Sequence, residues 1–309
     1  MVLEQLLYTV AIGLLLFLVF LWIIIGYSIV IREFRYKTRS KIDAFFIEKL
    51  SAEYMKNIAL TEQTHFEKKQ TISIKLKNKR RLQYASNILI RVQDAFDSEN
   101  QEMIVQLCEE NGISSAIDRK ISKRDWYPKA MAIWLSYELD LEGNLPHIKR
   151  LTSHKNILVR REAQIGLVCF WGWKSLKMLP HLKYPISLWQ QIRIIEKLVD
   201  YFPEPDLTYM EKALKTKNPY SIELLIRLMR RFDLKAYIPY IMEQIQHPNS
   251  NVSQTALEVL ESFQLNNVQL QQLEAQLMQF TLENQQLKVT QFIALQRIAI
   301  PKETPNGNS

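Results

Sequence analysis

The hydrophobic pattern begins with one long apolar segment. Residues 6–31 form a run of 26 positions without a charged side chain. About 20 apolar residues are enough for a helix to cross a bilayer, so this segment predicts a transmembrane helix after a short N-terminal end at 1–5. A secretory signal has a basic start and a cleavage site of small residues. Here the start carries only Glu4, which indicates an anchor that is not removed.

Downstream of this segment, apolar residues recur with helical spacing. Residues 32–66 predict either a continuation of the first helix or a helix pair. Two further helices are predicted at 81–96 and 100–113, with Asn111-Gly112 as the stop of the second. Glycine is scarce, with 7 residues in 309, which argues against a β-sandwich or barrel. The pattern therefore predicts an all-α protein.

From about residue 120 onward the helical pattern repeats every 31 residues, and repeats of this length are typical of solenoids. Leu145-Pro146 and Ile238-Pro239 predict starts of first helices, because proline fits the first turn of a helix. A lone helix pair cannot bury its apolar face, whereas stacked pairs can, which predicts a right-handed α-solenoid. The positions that recur are a polar turn residue (Asn156, Ser187, Asn218, Asn249), a central helix position (Ala132, Ala163, Ile194, Leu225, Ala256), a second apolar position (Leu167, Leu198, Met229, Leu260) and an aromatic (Phe170, Tyr201, Phe232, Phe263). The aromatic is expected to fill the gap between units. The C-terminal end, 264–296, is expected to cap the repeats, with a buried face of Leu265, Val268, Leu270, Leu273, Leu277 and Phe280.

The clearest copy of the repeat resembles a known family. Residues 154–167, HKNILVRREAQIGL, are similar to the turn and second helix of a HEAT repeat, in which a polar turn precedes Val-Arg-x-x-Ala, here Val159 to Ala163. The copy at 247–260 keeps the Val and the Ala, and the unit is shorter than the family norm. The resemblance implies a HEAT-like solenoid over 82–300, clearest over 120–300.

Positive charge is concentrated next to the apolar segment. Residues 32–81, a predicted basic juxtamembrane helical segment, contain 14 Lys/Arg and 6 Asp/Glu, which accounts for the net charge of +8. Because no Lys or Arg precedes the apolar segment, the positive-inside rule predicts a single-pass inner-membrane protein with its N-terminus outside and the solenoid in the cytoplasm. The bases predicted to contact anionic lipid head groups are Arg32, Arg35, Lys37, Arg39, Lys41, Lys75, Lys77, Lys79, Arg80 and Arg81.

The run 68–81, with seven bases and no acid, allows other interpretations. It could contact a protein partner, or it could be a solvated basic face that only fixes the topology. Nucleic-acid binding, which basic clusters also support, is the least favoured, because lipid contact suits a tethered domain better. The final residues, 301–309, predict a disordered tail.

No sequence motif indicates an enzyme, a cofactor or a metal site. Cys108 and Cys169 lack metal-ligand spacing, and the chain has no glycine-rich phosphate loop, nucleophile elbow or His-Glu-x-x-His motif. His154 and His247 occupy the same repeat position, at the end of a first helix, where an imidazole can interact with the helix dipole. We therefore expect a non-enzyme that needs no cofactor.

Bases and aromatics make up the candidate partner-binding surface. The HEAT resemblance implies that successive second helices line a concave side, and Arg and Trp are favoured at protein interfaces. Two tryptophans two residues apart at a helix end cannot easily both be buried, so one is expected to be exposed, and most other tryptophans are expected in the core. The predicted contact residues are Arg160, Arg161, Trp171, Trp173, Arg193, Lys197, Arg227, Arg230 and Arg231.

These features favour a membrane-anchored protein-binding scaffold or accessory subunit. Its build resembles accessory subunits of bacterial membrane machinery, which implies a partner protein at the membrane such as a membrane glycosyltransferase or an envelope-assembly complex. Two alternatives stay open. One is nucleic-acid or anionic-lipid binding through 68–81 and the concave arginines. The other is a lyase-like HEAT enzyme or its chaperone.

Overall fold

The computed structural model is helical almost throughout, and the residues it describes contain no β-strand. This confirms the predicted all-α class. The tail at 301–309 and most of the basic run 68–81 lie outside the described residues. The described residues are 2–59, 79–95, 101–277 and 283–299.

The chain divides into two compact units, which are treated separately below. The first comprises residues 1–120 and 138–141, and the second comprises residues 121–137 and 142–309. The helices at the start of the chain are α1 (Val2–Ala59), α2 (Lys79–Ala95), α3 (Gln101–Glu110) and α4 (Ile113–Ile121).

Helix α1 is one continuous helix of 58 residues, so the sequence after the apolar segment continues it and does not form a helix pair before Ala59. Within the described residues, α1 is the helix that is long and apolar enough to span a bilayer. Its apolar residues from Ile12 to Val30 are exposed. A helix with this much exposed apolar surface is stable only in an apolar environment or against another apolar surface.

The C-terminal part of α1 forms one side of a small core. Ile42, Phe45 and Phe46 are buried, and they face the buried Leu82 and Leu89 of α2. The rings of Phe45 and Phe46 meet edge to face, with 5.2 Å between centroids. Packing of α2 onto this face therefore fixes the helix pair beyond the apolar segment.

The predicted stop at Asn111-Gly112 is confirmed. Gly112 has φ +66°, a left-handed conformation that glycine adopts without steric cost. The Nδ2 of Asn111 donates to the carbonyl of Leu107 at 2.8 Å and covers one of the last carbonyls of α3. Helix α4 starts directly after this turn.

The second unit repeats in the predicted 31-residue register. The second helices of five successive units begin at Trp126, Ile157, Leu188, Pro219 and Ser250, each 31 residues after the one before. The elements of this unit are α5 (Trp126–Glu138), α6 (Leu145–Leu151), α7 (Ile157–Trp171), a 3-10 helix (Gly172–His181), α8 (Leu188–Tyr201), α9 (Leu207–Leu214), α10 (Pro219–Arg231), α11 (Ile238–Gln244), α12 (Ser250–Leu260), α13 (Asn267–Leu277) and α14 (Glu283–Ala299).

The recurring polar turn residues are all N-caps. The side chains of Asn156, Asn218 and Asn249 accept hydrogen bonds from backbone N–H groups of the helices that follow them. Ser187 occupies the cap position of α8 without making such a bond. Because an N-cap side chain satisfies an N–H that the helix leaves unpaired, these residues set where each second helix starts.

The recurring apolar positions form the core. All five residues at the central helix position and all four at the second apolar position are at most 1% exposed. First helices keep the same register, because residues 148, 179, 210 and 241 are each completely buried. The fully buried positions at this register are Ala132, Ala163, Ile194, Leu225, Ala256; Leu167, Leu198, Met229, Leu260; and Ile148, Leu179, Met210, Ile241.

Two details of the predicted core are wrong. Tyr201 is 59% exposed, although its repeat position was expected to fill the gap between units. Val268 is exposed on α13, whereas Leu265, Leu270 and Leu273 are buried as expected. Tyr201 is the last residue of α8, where the chain already leaves the packed face. The degenerate middle copy also has a 3-10 helix with an internal proline as its first helix.

Successive second helices lie parallel and side by side. Arg161 and Gln164 of α7 contact Ser187 and Gln190 at the start of α8, so the order of contacts along the two helices is the same. The α10–α12 pair also packs together. Helix pairs joined by short turns run antiparallel. The turns that precede α7 and α8 therefore lie at one edge of the second unit.

Candidate interaction surface

Most of the predicted contact arginines are occupied within the second unit. Arg161 donates to Ser187 Oγ at 3.1 Å, and Arg227 donates to Thr255 Oγ1 at 3.2 Å. Both bonds join one second helix to the next. These side chains are half-buried, so they stabilise the packing of repeats before they can contact a partner.

Arg193 belongs to a network that spans three second helices. It forms a salt bridge with Glu162 at 3.4 Å and donates to the hydroxyl of Tyr137 at 3.4 Å. Tyr137 in turn donates to Glu162 at 2.6 Å. Desolvation lowers the pKa of Arg193, but Tyr137 and Glu162 outweigh it and raise that pKa overall. Arg193 thus stays charged and holds α5, α7 and α8 together.

Three other predicted bases lie nearer the C-terminal ends of their helices than Arg161, Arg193 and Arg227 do. Lys197 is half-buried, with its Nζ 4.9 Å from the ring centroid of Tyr201. Arg230 and Arg231 are exposed at the end of α10, and neither forms a salt bridge with a residue that the structure describes. They are the predicted arginines with free access to solvent.

The two adjacent tryptophans have different environments. Trp173 is 4% exposed, its indole N–H donates to the carbonyl of Phe202 at 3.0 Å, and its ring stacks edge to face on Phe232. This burial removes Trp173 from the predicted contact surface. Trp171 is half-buried between Lys149 and Lys174, whose Nζ atoms lie 5.0 and 5.1 Å from its ring centroid. The expectation that one of the pair remains accessible therefore fits Trp171.

A different set of apolar side chains is exposed at the turns. Each occupies the first or second position of a second helix, on α5, α7 and α8. Their side chains are 40–64% exposed, with Trp189 the most exposed. The expectation that most other tryptophans are core residues is wrong for Trp126 and Trp189. We call this set the turn-edge patch: Trp126, Tyr127, Ile157, Leu158, Leu188 and Trp189.

Local folding explains why these residues are exposed. The first turn of a helix after its N-cap points away from the packed face, which begins at the next position with the buried Val159 of α7. Apolar side chains in the first turn therefore contribute nothing to the core. In the later copies these two positions hold Pro219-Tyr220 and Ser250-Asn251. Aligning the copies on their N-caps would have identified the patch from the sequence.

The surroundings of the patch are basic. Each turn and the start of its second helix lie within a nine-residue segment, which is 121–129 in the first copy and recurs at 31-residue steps. The five segments together contain eight Lys/Arg and one acid, Asp125. The opposite ends of α7, α8, α10 and α12 were compared over seven residues each, centred on positions 173, 203, 233 and 262. Together these four segments contain four bases and five acids. Positive charge is thus concentrated at the edge that carries the exposed apolar side chains.

One arginine links the charge to the patch. The Arg160 guanidinium lies 4.4 Å from the ring centroid of Tyr184, in the turn before α8, and donates to the carbonyl of Lys155 at 3.1 Å. Desolvation by burial lowers the pKa of Arg160, with Tyr184 opposing that shift. An arginine stacked on an aromatic ring presents a planar cationic surface. Arg160 thus borders the patch with a fixed positive charge.

The repeated histidines act on the helix that follows them. Nδ1 of His154 accepts from the backbone N–H of Asn156 at 3.0 Å, and Nδ1 of His247 accepts from Asn249 at the same distance. We expected them to interact with the end of the first helix, but the contact is to the N-cap of the second. Desolvation by burial lowers the pKa of His154, and nearby Lys129 adds to the effect.

The predicted lipid-contacting bases fall on two helices. Arg32, Arg35, Lys37, Arg39 and Lys41 are exposed on α1. Arg80 is exposed and Arg81 is half-buried on α2, which also begins with Lys79. Lys75 and Lys77 lie outside the described residues. Packing of α2 against α1 brings bases that are over 40 positions apart in the sequence into one unit.

Reactive groups are sparse in the described part of the chain. No cluster of three or more His, Cys, Asp or Glu side chains there could hold a metal ion. Cys108 is buried, and burial raises the pKa of its thiol to about 12. A thiol of this kind is a poor nucleophile at neutral pH.

No family model matches this chain, and no curated protein sequence matches it either. The HEAT resemblance consequently depends on the residues quoted above.

Proposed function

We propose that this protein is a single-pass, membrane-anchored scaffold whose helix pairs form a HEAT-like solenoid that binds a partner protein. The turn-edge patch is the observation that carries the proposal. Exposed apolar patches bordered by polar residues mark interaction sites on soluble surfaces. Tryptophan, tyrosine and arginine, the residue types most common at interface hot spots, all occur at or beside this one.

The repeat supports a binding function by its construction. Each second helix begins at a cap 31 residues after the previous one and is fixed by fully buried positions. Because the caps and the buried positions recur, the exposed first-turn residues lie at regular intervals, and their side chains are not needed for folding. A surface of this kind can diverge between copies while the fold is kept, which is how repeat proteins acquire binding sites.

Charge defines the chemistry of the partner. A surface with apolar side chains among eight bases and one acid complements a segment that carries apolar residues flanked by Asp and Glu. We expect a protein of the same membrane, and the resemblance to accessory subunits favours a glycosyltransferase or an envelope-assembly enzyme. The apolar segment of α1 would hold the solenoid beside such a partner, with residues after 31 on the cytoplasmic side.

The test replaces patch residues by those of the polar copy. Ile157→Ser and Leu158→Asn reproduce the Ser250-Asn251 pair, and Leu188→Ser with Trp189→Asn extends the change to α8. Because all four side chains are exposed, helicity and unfolding of the full-length protein should not change. Partner recovered with the variant after extraction from native membranes in mild detergent should fall at least about tenfold, as loss of hot-spot residues predicts.

A matched control changes the predicted arginine surface. Arg230→Gln with Arg231→Gln removes two exposed charges from the end of α10 and should leave partner recovery within about threefold. If the control lowers recovery and the patch variant does not, the binding surface lies at the helix ends of the earlier prediction. Unchanged recovery with both variants would contradict a partner site on either surface.

A further inference from the structure

A cleft lies where α1 leaves its apolar segment. It has a volume of about 880 Å³ between α1 and the start of α2. Val30, Ile31 and Phe34 form its apolar wall, and Val30 and Phe34 are each 67% exposed. The wall is therefore open on the side of the cleft that continues the apolar segment.

Arginines line the other end of the same cleft. Arg35 and Arg39 come from α1, and Arg80 and Arg81 come from α2. The lining residues, all within the described part of the chain, include no Asp or Glu. Arg39 also lies over the ring of Tyr84, with 5.2 Å to the centroid, so at least one guanidinium is held in place by packing.

Two carboxylates near the cleft have other partners. Glu33 pairs with Lys37 at 3.6 Å, and both are exposed outside the cleft. Asp43 accepts a hydrogen bond from the Tyr84 hydroxyl at 2.9 Å. The cationic side chains of Arg35, Arg39 and Arg81 repel one another around this cleft, and an anion would relieve that repulsion.

We propose that this cleft binds the phosphate of an anionic phospholipid, with the acyl chains against the apolar wall. Phosphate oxygens match the planar donors of arginine, which can bind them in pairs. The Gln83 and Asn87 side chains at the cleft add amide donors for the polar part of a head group. The proposal deepens the proposed function and rests on its membrane anchor.

Distances along α1 place Arg35 at the depth of the lipid head groups and Arg39 just beyond that layer. Each head-group layer is about 5–8 Å thick beyond the hydrocarbon core. At about 1.5 Å rise per residue, Arg35 lies about 6 Å and Arg39 about 12 Å beyond Ile31 along the helix. Apolar residues followed on one helix face by arginines therefore mirror the order of acyl chain and phosphate in a phospholipid.

The test measures lipid retention by the full-length protein. Wild type and variants are reconstituted in nanodiscs that contain phosphatidylglycerol and phosphatidylcholine in equal amounts, and lipids bound to the released protein are counted by native mass spectrometry. Wild type should retain phosphatidylglycerol preferentially. Arg35→Gln with Arg81→Gln should lower that retention at least about tenfold, because each base near an anionic lipid contributes to binding.

The matched control removes two charges outside the cleft, with Lys49→Gln on α1 and Arg91→Gln on α2, and should change retention by less than about threefold. Equal losses in both variants, or equal retention of the two lipids by wild type, would overturn the proposal. Arg35→Lys with Arg81→Lys keeps the charge and should restore part of the selectivity if the first variant folds poorly. The membrane anchor is tested separately: if wild type is released from membranes by alkaline extraction, the anchor itself is wrong. Partner recovery is measured in the same membranes, so that loss of lipid binding and loss of partner binding are distinguished.

Discussion

Helices α7 and α12 are equivalent helices of two repeats, and they differ in the side chains that they expose to solvent in the first turn. Both start at an asparagine cap, Asn156 or Asn249, whose side chain accepts two backbone N–H bonds. Both are preceded by a histidine that accepts from the cap residue at 3.0 Å. In α7 the first two positions are Ile157-Leu158, and in α12 they are Ser250-Asn251.

The difference shows that the buried residues of a repeat can stay the same while its exposed first-turn residues change. Ala163 and Ala256 are both fully buried, and Leu167 and Leu260 are at most 1% exposed. The core thus imposes the same requirement on both copies. Nothing in the core requires apolar residues at the first turn of α7, so their cost in exposed apolar surface points to a use outside folding.

The largest expected effect removes the shared core. Leu167→Ala and Leu260→Ala should each lower the free energy of unfolding by about 2–5 kcal/mol, because each leaves a cavity among fully buried neighbours. Chemical unfolding of the full-length protein in mild detergent, followed by helical circular dichroism, measures the change. Leu158→Ala, at an exposed position, should stay within about 0.5 kcal/mol. A large loss at Leu158 would show that the turn-edge patch belongs to the core.

A smaller effect distinguishes the two copies. Glu162→Gln should destabilise the protein by about 1–2 kcal/mol, because the half-buried Arg193 loses its charged partner. On α12, Glu258 pairs with Gln254 at an exposed site, so Glu258→Gln should cost less than about 0.5 kcal/mol. The same unfolding measurement applies. Equal effects would mean that the network of Tyr137, Glu162 and Arg193 does not join the helices.

The caps should behave alike in both copies. Asn156→Ala and Asn249→Ala should each cost about 1 kcal/mol, because each leaves helix N–H groups without an acceptor. Asn251→Ala provides the control, since Asn251 follows a cap and is exposed. A cost confined to one copy would contradict the equivalence of the two turns.

The smallest effect concerns pH. Since burial lowers the pKa of His154, folding favours its neutral form, whose Nδ1 accepts the N–H of Asn156. The stabilisation is present above the unfolded pKa, about 6.5, and is lost as the pH falls through the lower folded value. Wild type should therefore lose its stability advantage over His154→Asn as the pH falls below about 6.5. The difference between the two proteins should be constant between pH 7.5 and 8.5, and a constant difference down to pH 5 would contradict this role.

The sequence predicted those parts of the fold that depend on local rules. The caps, the 31-residue register and the stop at Gly112 follow from residue types at fixed spacing, and the structure confirms them. The fate of single large side chains does not follow from spacing. Trp173 and Trp189 are both tryptophans near helix ends, yet one is 4% and the other 64% exposed, because only tertiary packing decides which helix face has a neighbour.

Two of the predicted contact arginines have roles within the fold for a related physical reason. Arg161 and Arg227 were expected to face a partner, but parallel second helices bring hydroxyl acceptors within their reach. Long basic side chains on a repeat can serve the next repeat as well as a ligand, and the sequence alone does not distinguish these uses. Exposure at the start of α7 and α8, in contrast, could have been inferred from the sequence, because the caps Asn156 and Ser187 mark where each first turn begins.

Site-specific photocrosslinking in native membranes tests the central claim most directly. A photoreactive amino acid is placed at Leu158, at Trp189 and, as the matched position in the polar copy, at Asn251 of the full-length protein. Positions 158 and 189 should crosslink to the same membrane protein, and position 251 should not. Equal crosslinking from position 251, or crosslinking of positions 158 and 189 to lipid alone, would contradict a protein-binding turn-edge patch.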